Sequence, residues 1–208
     1  MKSLACLFAL SCGLGAITVL AESPKADTTA ASTTQLAWEG AALVYKGKPV
    51  HPMAIYEFAG LLSSGTAWYE LYLDGAFSID RYPQKVNRLP DGSILCEQDD
   101  ADPGKGYVLY HVLGRLRGGT YVLMCSRNGG GSGVFQDLLF VRSFVQKIKG
   151  VNGRMTSRSM LQLVDSYGIG DRYGGKIQVR EDRIIVGPYG QDIKQELVLH
   201  EPQVVTEP

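Results

Sequence analysis

A series of short apolar or alternating segments, separated by turn residues, constrains the fold more than any other feature of the chain. Roughly ten such segments follow one another at intervals of about 8–12 residues, a spacing typical of all-β proteins. Within residues 66–73, alternate positions form two sets. One set is Trp68, Glu70 and Tyr72, and the other is Tyr69, Leu71 and Leu73. Successive side chains of a strand point to opposite faces, so this alternation predicts a strand with one face on a core.

Turn residues mark where the segments reverse direction. The Asp-Gly pairs at residues 74–75 and 91–92 are typical of two-residue hairpin turns, because Asp and Gly tolerate the positive φ angles that such turns need. The longest apolar hairpin is predicted over residues 107–116 and 120–125, on either side of an Arg-Gly-Gly turn. Further strands are predicted at residues 42–45, 76–79, 93–96, 134–148, 159–164, 176–179, 183–186 and 193–199.

One segment has helical spacing instead. Pro52 suits the first position of a helix, and Ile55, Phe58 and Leu62 follow at helical intervals before a Ser-Ser-Gly end. The predicted fold class is therefore all-β, mainly an antiparallel sandwich or barrel, with one short helix near residues 52–62. A β-trefoil-like or half-open barrel is the alternative.

The N-terminal residues have a different pattern. A lysine precedes an uncharged, mostly apolar stretch at residues 4–20, and Val19 and Ala21 occupy the small-residue positions of a cleavage site. This pattern predicts a secretory signal peptide over residues 1–21. An uncleaved anchor is one alternative, because the 17 residues are near the lower limit for spanning a bilayer. A lipoprotein is another, because the residues ending in Cys12 loosely match a lipidation box.

The signal peptide sets the predicted domain organisation and location. Residues 22–34 are small and polar, and they are predicted to form a flexible linker because they can bury little apolar surface. Residues 35–201 are predicted to form a single β-rich domain, with residues 202–208 as a tail. Removal of a signal peptide implies a secreted or periplasmic protein.

Charge excludes some classes of partner. The chain has 21 basic and 21 acidic residues, and no run of like charge reaches five. Such a balance gives no overall field that would attract nucleic acid or anionic lipid. The sequence therefore predicts no nucleic-acid partner, and membrane contact only through an uncleaved or lipidated N-terminus.

Two cysteines, Cys96 and Cys125, remain after signal cleavage. Oxidising compartments favour disulfides, so the sequence predicts a bridge between them. It would close a loop of about 30 residues and stabilise the fold by roughly 3–4 kcal/mol. Two buried thiols are the alternative interpretation.

The segment at residues 128–133 contains four glycines and Ser132. Free backbone N–H groups in such a loop could bind an anion, and Ser132 could act as a nucleophile with His111 and Asp137. The Gly-x-Ser-x-Gly signature fails, however, because Val134 stands where the last glycine is required. A wide hairpin loop is the simpler interpretation.

A second glycine-dense segment, residues 168–175, contains Asp171 and Arg172. Arg172 could bind a carboxylate or phosphate, whereas a plain hairpin loop would explain the same glycines. Trp68 and Tyr72 are weak candidates for stacking on a sugar or a peptide, although aromatic residues are common in strands for packing reasons alone.

Metal and cofactor sites are not predicted. The three histidines, His51, His111 and His200, stand alone without metal-binding spacing. An acidic cluster at residues 99–102 departs from the order of a calcium loop, because Lys105 stands where glycine is needed. His51 could simply cap the short helix.

The absence of a recognisable catalytic motif favours a secreted or periplasmic binding or interaction module, without enzymatic activity, whose partner is an unidentified protein or small ligand. One alternative is an extracytoplasmic hydrolase with a serine or acid-based site, for which a nucleophile and a base should lie within hydrogen-bonding distance. Another is a structural component of the cell envelope.

Overall fold

The computed structural model describes residues 36–59, 70–75, 81–98, 106–150, 152–189 and 196–200. All of them lie within the unit formed by residues 32–208. Strands account for 59% of the structure, which confirms the predicted all-β class with one short helix. The predicted signal peptide, linker and tail lie outside the described residues, as do Trp68, the strand predicted at residues 76–79 and the acidic cluster.

Thirteen strands and one helix make up the described ranges. In chain order, the first elements are β1 (Ala37–Glu39), β2 (Ala42–Tyr45), β3 (Lys48–Pro49), α1 (Pro52–Tyr56) with a following 3₁₀ turn (Glu57–Ala59), β4 (Glu70–Tyr72), β5 (Val86–Arg88) and β6 (Ile94–Glu97). The remaining elements are β7 (Tyr107–Arg115), β8 (Tyr121–Asn128), β9 (Phe135–Lys149), β10 (Met155–Asp171), β11 (Ile177–Val179), β12 (Arg183–Val186) and β13 (Leu197–His200).

The strands form three antiparallel sheets. The central sheet has seven strands in the order β4-β10-β9-β8-β7-β6-β5 and curls into a half-barrel. Two three-stranded sheets, β1-β2-β3 and β11-β12-β13, accompany it. The predicted apolar hairpin is confirmed as β7 and β8, which pair from Tyr107 with Asn128 to Arg115 with Tyr121.

The middle of the central sheet is buried on both faces, and alternation decides which core each residue joins. On β8, Tyr121, Leu123 and Cys125 pack in a core with α1 and β2, while Val122 and Met124 pack in a second core with β12 and β13. Burial on both faces explains why β8 and the middle of β9 are nearly continuous apolar runs.

Helix α1 begins as the sequence predicts. Pro52 is its first residue, and the His51 ring caps it, because Nδ1 accepts a hydrogen bond from Met53 N at 3.1 Å. The other ring nitrogen lies 3.0 Å from the carbonyl oxygen of Gln84, and the ring stacks on Tyr82. Burial lowers the pKa of His51, which suits a neutral ring accepting at one nitrogen and donating at the other. His51 therefore has a structural role.

The two longest strands, β9 and β10, form a ladder that spans the sheet. The single long strand predicted over residues 134–148 is confirmed as β9. The prediction of a loop over residues 168–175 is wrong in its first half, because Gly168 to Asp171 still belong to β10 and pair with β9. The glycines there accommodate a bulge between Gly168 and Gly170, where Gly170 has a φ of +99°.

The predicted disulfide does not form: Cys96 and Cys125, the two cysteines of the described residues, are buried thiols. Cys96 pairs with Val108 from one side of β7, and Cys125 pairs with Tyr110 from the other side. Strands two apart in a sheet are separated by about 9.6 Å, beyond the roughly 7 Å that a disulfide can span between Cα atoms. The intervening strand therefore keeps the two thiols apart.

Candidate functional site

The β9–β10 ladder continues beyond the strands that flank it. Among the described residues, β8 pairs with β9 no further than Val141, and β4 pairs with β10 up to Met160, with one further bond from Leu73 N to Ser159 O. We call the part that extends beyond them, residues 143–159, the β9–β10 arm. Its described side chains are largely exposed, in contrast to the buried residues 138–141 and 160–161 next to it.

A cleft of about 500 Å³ lies where the arm leaves the sheet, and we call it the arm-base cleft. The residues that line it are Leu36, Tyr45, Lys46, Leu73, Asp74, Ser143, Phe144, Val145, Ser157 and Ser159. Directly opposed residues of an antiparallel pair share a face, so the pairings Val145 with Ser159 and Lys147 with Ser157 place these side chains together. The same face continues downward into the core at Leu161, which is fully buried.

The rim of the cleft includes hydrogen-bonded side chains that meet at Asp74. Lys46 Nζ forms an ion pair with Asp74 Oδ1, and Tyr72 OH donates to Asp74 Oδ2 at 2.8 Å. Burial alone would raise the pKa of Asp74, but the hydrogen bonds from Lys46 and Tyr72 together outweigh it and hold that pKa below its usual value. Asp74 is therefore a carboxylate at neutral pH. Tyr72, a residue singled out from the sequence, belongs to this rim.

Lys46 occupies an unusual backbone position at the rim. It has a φ of +53° and is followed by Gly47 with a φ of +74° in the two-residue turn between β2 and β3. Positive φ at both positions defines a type I′ turn, which favours Asn-Gly over Lys-Gly. A left-handed backbone at a residue other than Gly, Asn or Asp costs roughly 1–2 kcal/mol. The side chain of Lys46 is thus held on Asp74 by a turn that lysine does not favour.

The glycine loop at residues 128–133 is confirmed as the connection between β8 and β9. The Asn128 side chain folds it, because Oδ1 accepts from Gly130 N at 2.6 Å and Nδ2 donates to Gly131 O at 3.1 Å. Ser132 is exposed, and Gly130 needs its glycine, since its φ is +90°. The loop is shaped by its own side chain and backbone.

The structure brings the second candidate pair next to this loop. Asp171 Oδ1 accepts from Val134 N at 2.6 Å, and Arg172 N donates to Val134 O at 2.8 Å. Arg172 also pairs with its neighbour Asp171 at 3.1 Å. These contacts fasten the end of β10 to the start of β9, so a structural role accounts for both residues.

Ser132 and His111 are not brought together. His111 pairs with Met124, four residues along β8 from Asn128, which places it about 13 Å along the strand from the start of the glycine loop. His111 Nδ1 instead lies 3.2 Å from Ser93 Oγ, while Asp91 accepts a hydrogen bond from Ser93 N. Ser93 is only 1% exposed, so a substrate has no access to its hydroxyl. This group stabilises the turn between β5 and β6.

A cluster that the sequence analysis did not identify lies at the other end of the ladder. The Arg127 guanidinium packs 5.4 Å from the ring centres of Tyr56 and Phe135 and donates to Tyr56 OH at 2.6 Å. Nearby, burial raises the pKa of Asp137, and the opposing effect of Arg127 is smaller. Phe135 is half exposed. No spacing in the sequence joins these residues, because they come from α1, β8 and β9.

A second and more open cleft of about 340 Å³ lies beside Arg115, Leu116, Arg117 and Glu181. Arg117 and Glu181 form an ion pair there, with both side chains mostly exposed. In the described ranges, no three His, Cys, Asp or Glu side chains cluster in a way that could hold a metal ion. None of the helices described is long and apolar enough to cross a membrane.

Comparisons with known proteins assign neither a family nor a function to this chain. Neither a family model, nor a curated protein, nor a solved structure matches this chain. The site must therefore be interpreted from its own geometry and chemistry.

Proposed function

We propose that the protein is a secreted or periplasmic binding module that holds a small ligand in the arm-base cleft. The observation that carries the proposal is the cleft itself. Its volume of about 500 Å³ lies within the range of pockets that bind small molecules, roughly 300–1,000 Å³. The other described cleft is smaller and more open.

The lining of the cleft indicates the class of ligand. Three serine hydroxyls, from Ser143, Ser157 and Ser159, offer both donors and acceptors, and Leu73 and Val145 offer aliphatic contact. At the rim, Lys46 and Asp74 present opposite charges side by side. A ligand that combines hydroxyl, amide or carboxylate groups with a short aliphatic part would complement this surface.

Two observations favour binding over hydrolysis. Ser132 lies in a loop that is remote from His111, and the one serine that contacts a histidine, among the residues described, is inaccessible. The cleft itself is lined by serines without a histidine. Secretion is supported by the N-terminal sequence pattern, in which an apolar stretch ends at Ala21.

The ligand site can be tested by amide chemical-shift perturbation with three probes: an N-acetylglucosamine disaccharide, an alanine dipeptide and octanoate. We expect at least one probe to shift the amides of Ser143, Val145 and Ser157 in a saturable way. Lys46→Asn should weaken that binding about tenfold, whereas Lys48→Asn, a neighbouring exposed lysine outside the cleft, should leave it unchanged. Shifts confined to residues 128–133, or no saturable shift at all, would contradict the proposal.

The location can be tested separately by intact mass spectrometry of the exported protein. We expect a chain that begins at or within a few residues of Glu22. An intact Met1 would contradict signal cleavage, and a lipid on Cys12 would replace it with a lipoprotein.

A further inference from the structure

The β9–β10 arm concentrates positive charge that the balanced composition conceals. Residues 138–164 contain no Asp or Glu, and the arm within them carries Lys147, Lys149, Arg154 and Arg158. The rest of the chain therefore has 17 basic and 21 acidic residues, so the whole is close to neutral while one projection is strongly basic. The balanced total charge predicts no anionic partner, but the total does not show this separation of charge along the chain.

The four basic side chains are exposed, and no described carboxylate pairs with them. No ion pair within the described ranges involves any of them. The Arg158 guanidinium lies 4.9 Å from the centre of the Tyr72 ring, and this cation–π contact does not neutralise its positive charge. Their field is therefore directed outward, toward solvent or a partner.

Exposed aliphatic side chains share the face of the two lysines. The pairings Val145 with Ser159, Lys147 with Ser157 and Lys149 with Met155 place Val145, both lysines and Met155 on one face of the arm. Val145 is 64% exposed and Met155 is 61% exposed, more than any other large apolar side chain among the described residues. Over this length, from residue 145 to residue 149, the face extends about 14 Å.

We propose that this face of the arm docks on a bilayer that contains anionic lipids. Lysines interspersed with exposed aliphatic side chains are the combination that binds such surfaces, because the ammonium groups meet lipid phosphates while the aliphatic groups enter the boundary with the acyl chains. A nucleic acid would meet the same charge, but the lysine face offers no aromatic side chain on which a base could stack. Val145 belongs to both this face and the cleft lining, but the inference does not rest on the identity of the cleft ligand.

The test is co-sedimentation with vesicles of phosphatidylcholine alone and with 30% phosphatidylglycerol, at about 0.1 M salt. The protein is used as it is exported, so any N-terminal contribution is the same in all variants. We expect binding that requires phosphatidylglycerol and falls as salt rises. Lys147→Gln with Lys149→Gln should weaken it about 25-fold, since each basic residue near an anionic surface contributes about fivefold.

The matched control removes the same charge elsewhere. Lys176→Gln with Arg180→Gln alters two exposed basic residues outside the arm, and it should change vesicle binding less than twofold. Near-ultraviolet circular dichroism checks that both double variants fold alike. Equal losses in the two double variants, equal binding to both kinds of vesicle, or tighter binding to a single-stranded oligonucleotide than to anionic vesicles would each overturn the proposal.

Discussion

The two halves of the β9–β10 ladder share the same strands but differ in what covers them. In the lower half, Leu138 to Val141 are buried on both faces, since Leu139 and Val141 join one core and Leu138 and Phe140 join the other. In the arm, Val145 and Met155 on the same two strands are more than half exposed. Hydrogen bonds between the strands continue through both halves, so packing is what distinguishes them.

We expect this difference to separate residues that stabilise the fold from residues that bind the proposed ligand along one pair of strands. The covered half should supply the free energy of folding, because burial of apolar surface is the main favourable contribution. The arm and the cleft at its base carry exposed hydroxyls and charges instead, as surfaces available to a ligand do. Substitutions in the two halves should therefore affect different measurements.

The largest expected effect contrasts Leu139→Ala with Val145→Ala. Leu139 is fully buried, so its truncation should lower the free energy of unfolding by about 2–5 kcal/mol. Val145 is 64% exposed, so its truncation should change it by less than about 0.5 kcal/mol. Urea denaturation of both variants checks the comparison, and equal losses would show that the arm is as tightly packed as the covered half.

The next effect concerns the close approach of the β11-β12-β13 sheet to β7 of the central sheet. A methyl group at Gly114 of β7 would lie 2.8 Å from a Val179 side-chain carbon on β11, so Gly114→Ala should destabilise by about 1–3 kcal/mol. Gly131 has no neighbour within 4 Å and no positive φ, so Gly131→Ala should be nearly neutral. Thermal melts distinguish the two, and a neutral Gly114→Ala would contradict the packing of β7 against β11.

Asp137 and Asp74 should make the stability of the fold depend on pH in opposite directions. The raised pKa of Asp137 means that the folded protein binds a proton there more tightly than the unfolded chain, so its contribution to stability falls as pH rises. The lowered pKa of Asp74 means the reverse: its contribution is present at neutral pH and is lost as pH falls through the folded pKa.

The test is the free energy of unfolding of Asp137→Asn and Asp74→Asn between about pH 3 and pH 7. Relative to the unmodified protein, the stability of Asp137→Asn should increase as pH rises, and the stability of Asp74→Asn should decrease. The change for Asp74→Asn should not exceed about 1 kcal/mol, because its ion pair with Lys46 is partly exposed. The same sign for both variants would be inconsistent with the environments described.

The smallest effect on stability, but a clear one on binding, is expected for Lys46→Asn. Asparagine suits the type I′ turn better than lysine, while the ion pair with Asp74 is lost. These effects oppose each other, so stability should change by less than about 1 kcal/mol. Binding of a cleft probe should fall about tenfold, and a melting temperature that falls together with binding would assign Lys46 to the fold instead.

Much of the fold could be predicted from the sequence, because strands and turns depend on local residue patterns. The alternation and the Gly-containing turns indicated most strands, and Pro52 indicated the start of α1. The continuous apolar run at residues 138–141 also contained the signal for burial on both faces, which the prediction of a single long strand at residues 134–148 did not use.

The remaining errors concern which strands become neighbours. The disulfide prediction failed because β7 lies between Cys96 and Cys125, and no local pattern gives that order. The arm-base cleft could not be predicted, because it unites residues as distant as Leu36 and Ser159 without a shared motif. Of the predicted site residues that the structure describes, Tyr72 alone lies at its rim, joined through Asp74.

Amide hydrogen exchange along β9 and β10 tests most directly whether one ladder is divided into a covered half and an exposed arm. Protected amides in residues 138–141 and 160–163 should exchange only through global unfolding, because residues 138–141 lie between two cores and Leu161 and Leu163 pack in the first of them. Amides in residues 145–149 and 155–158 should exchange at least about 100-fold faster, through local opening of the arm. Uniform protection along the whole length of both strands would contradict the division on which this account of the protein rests.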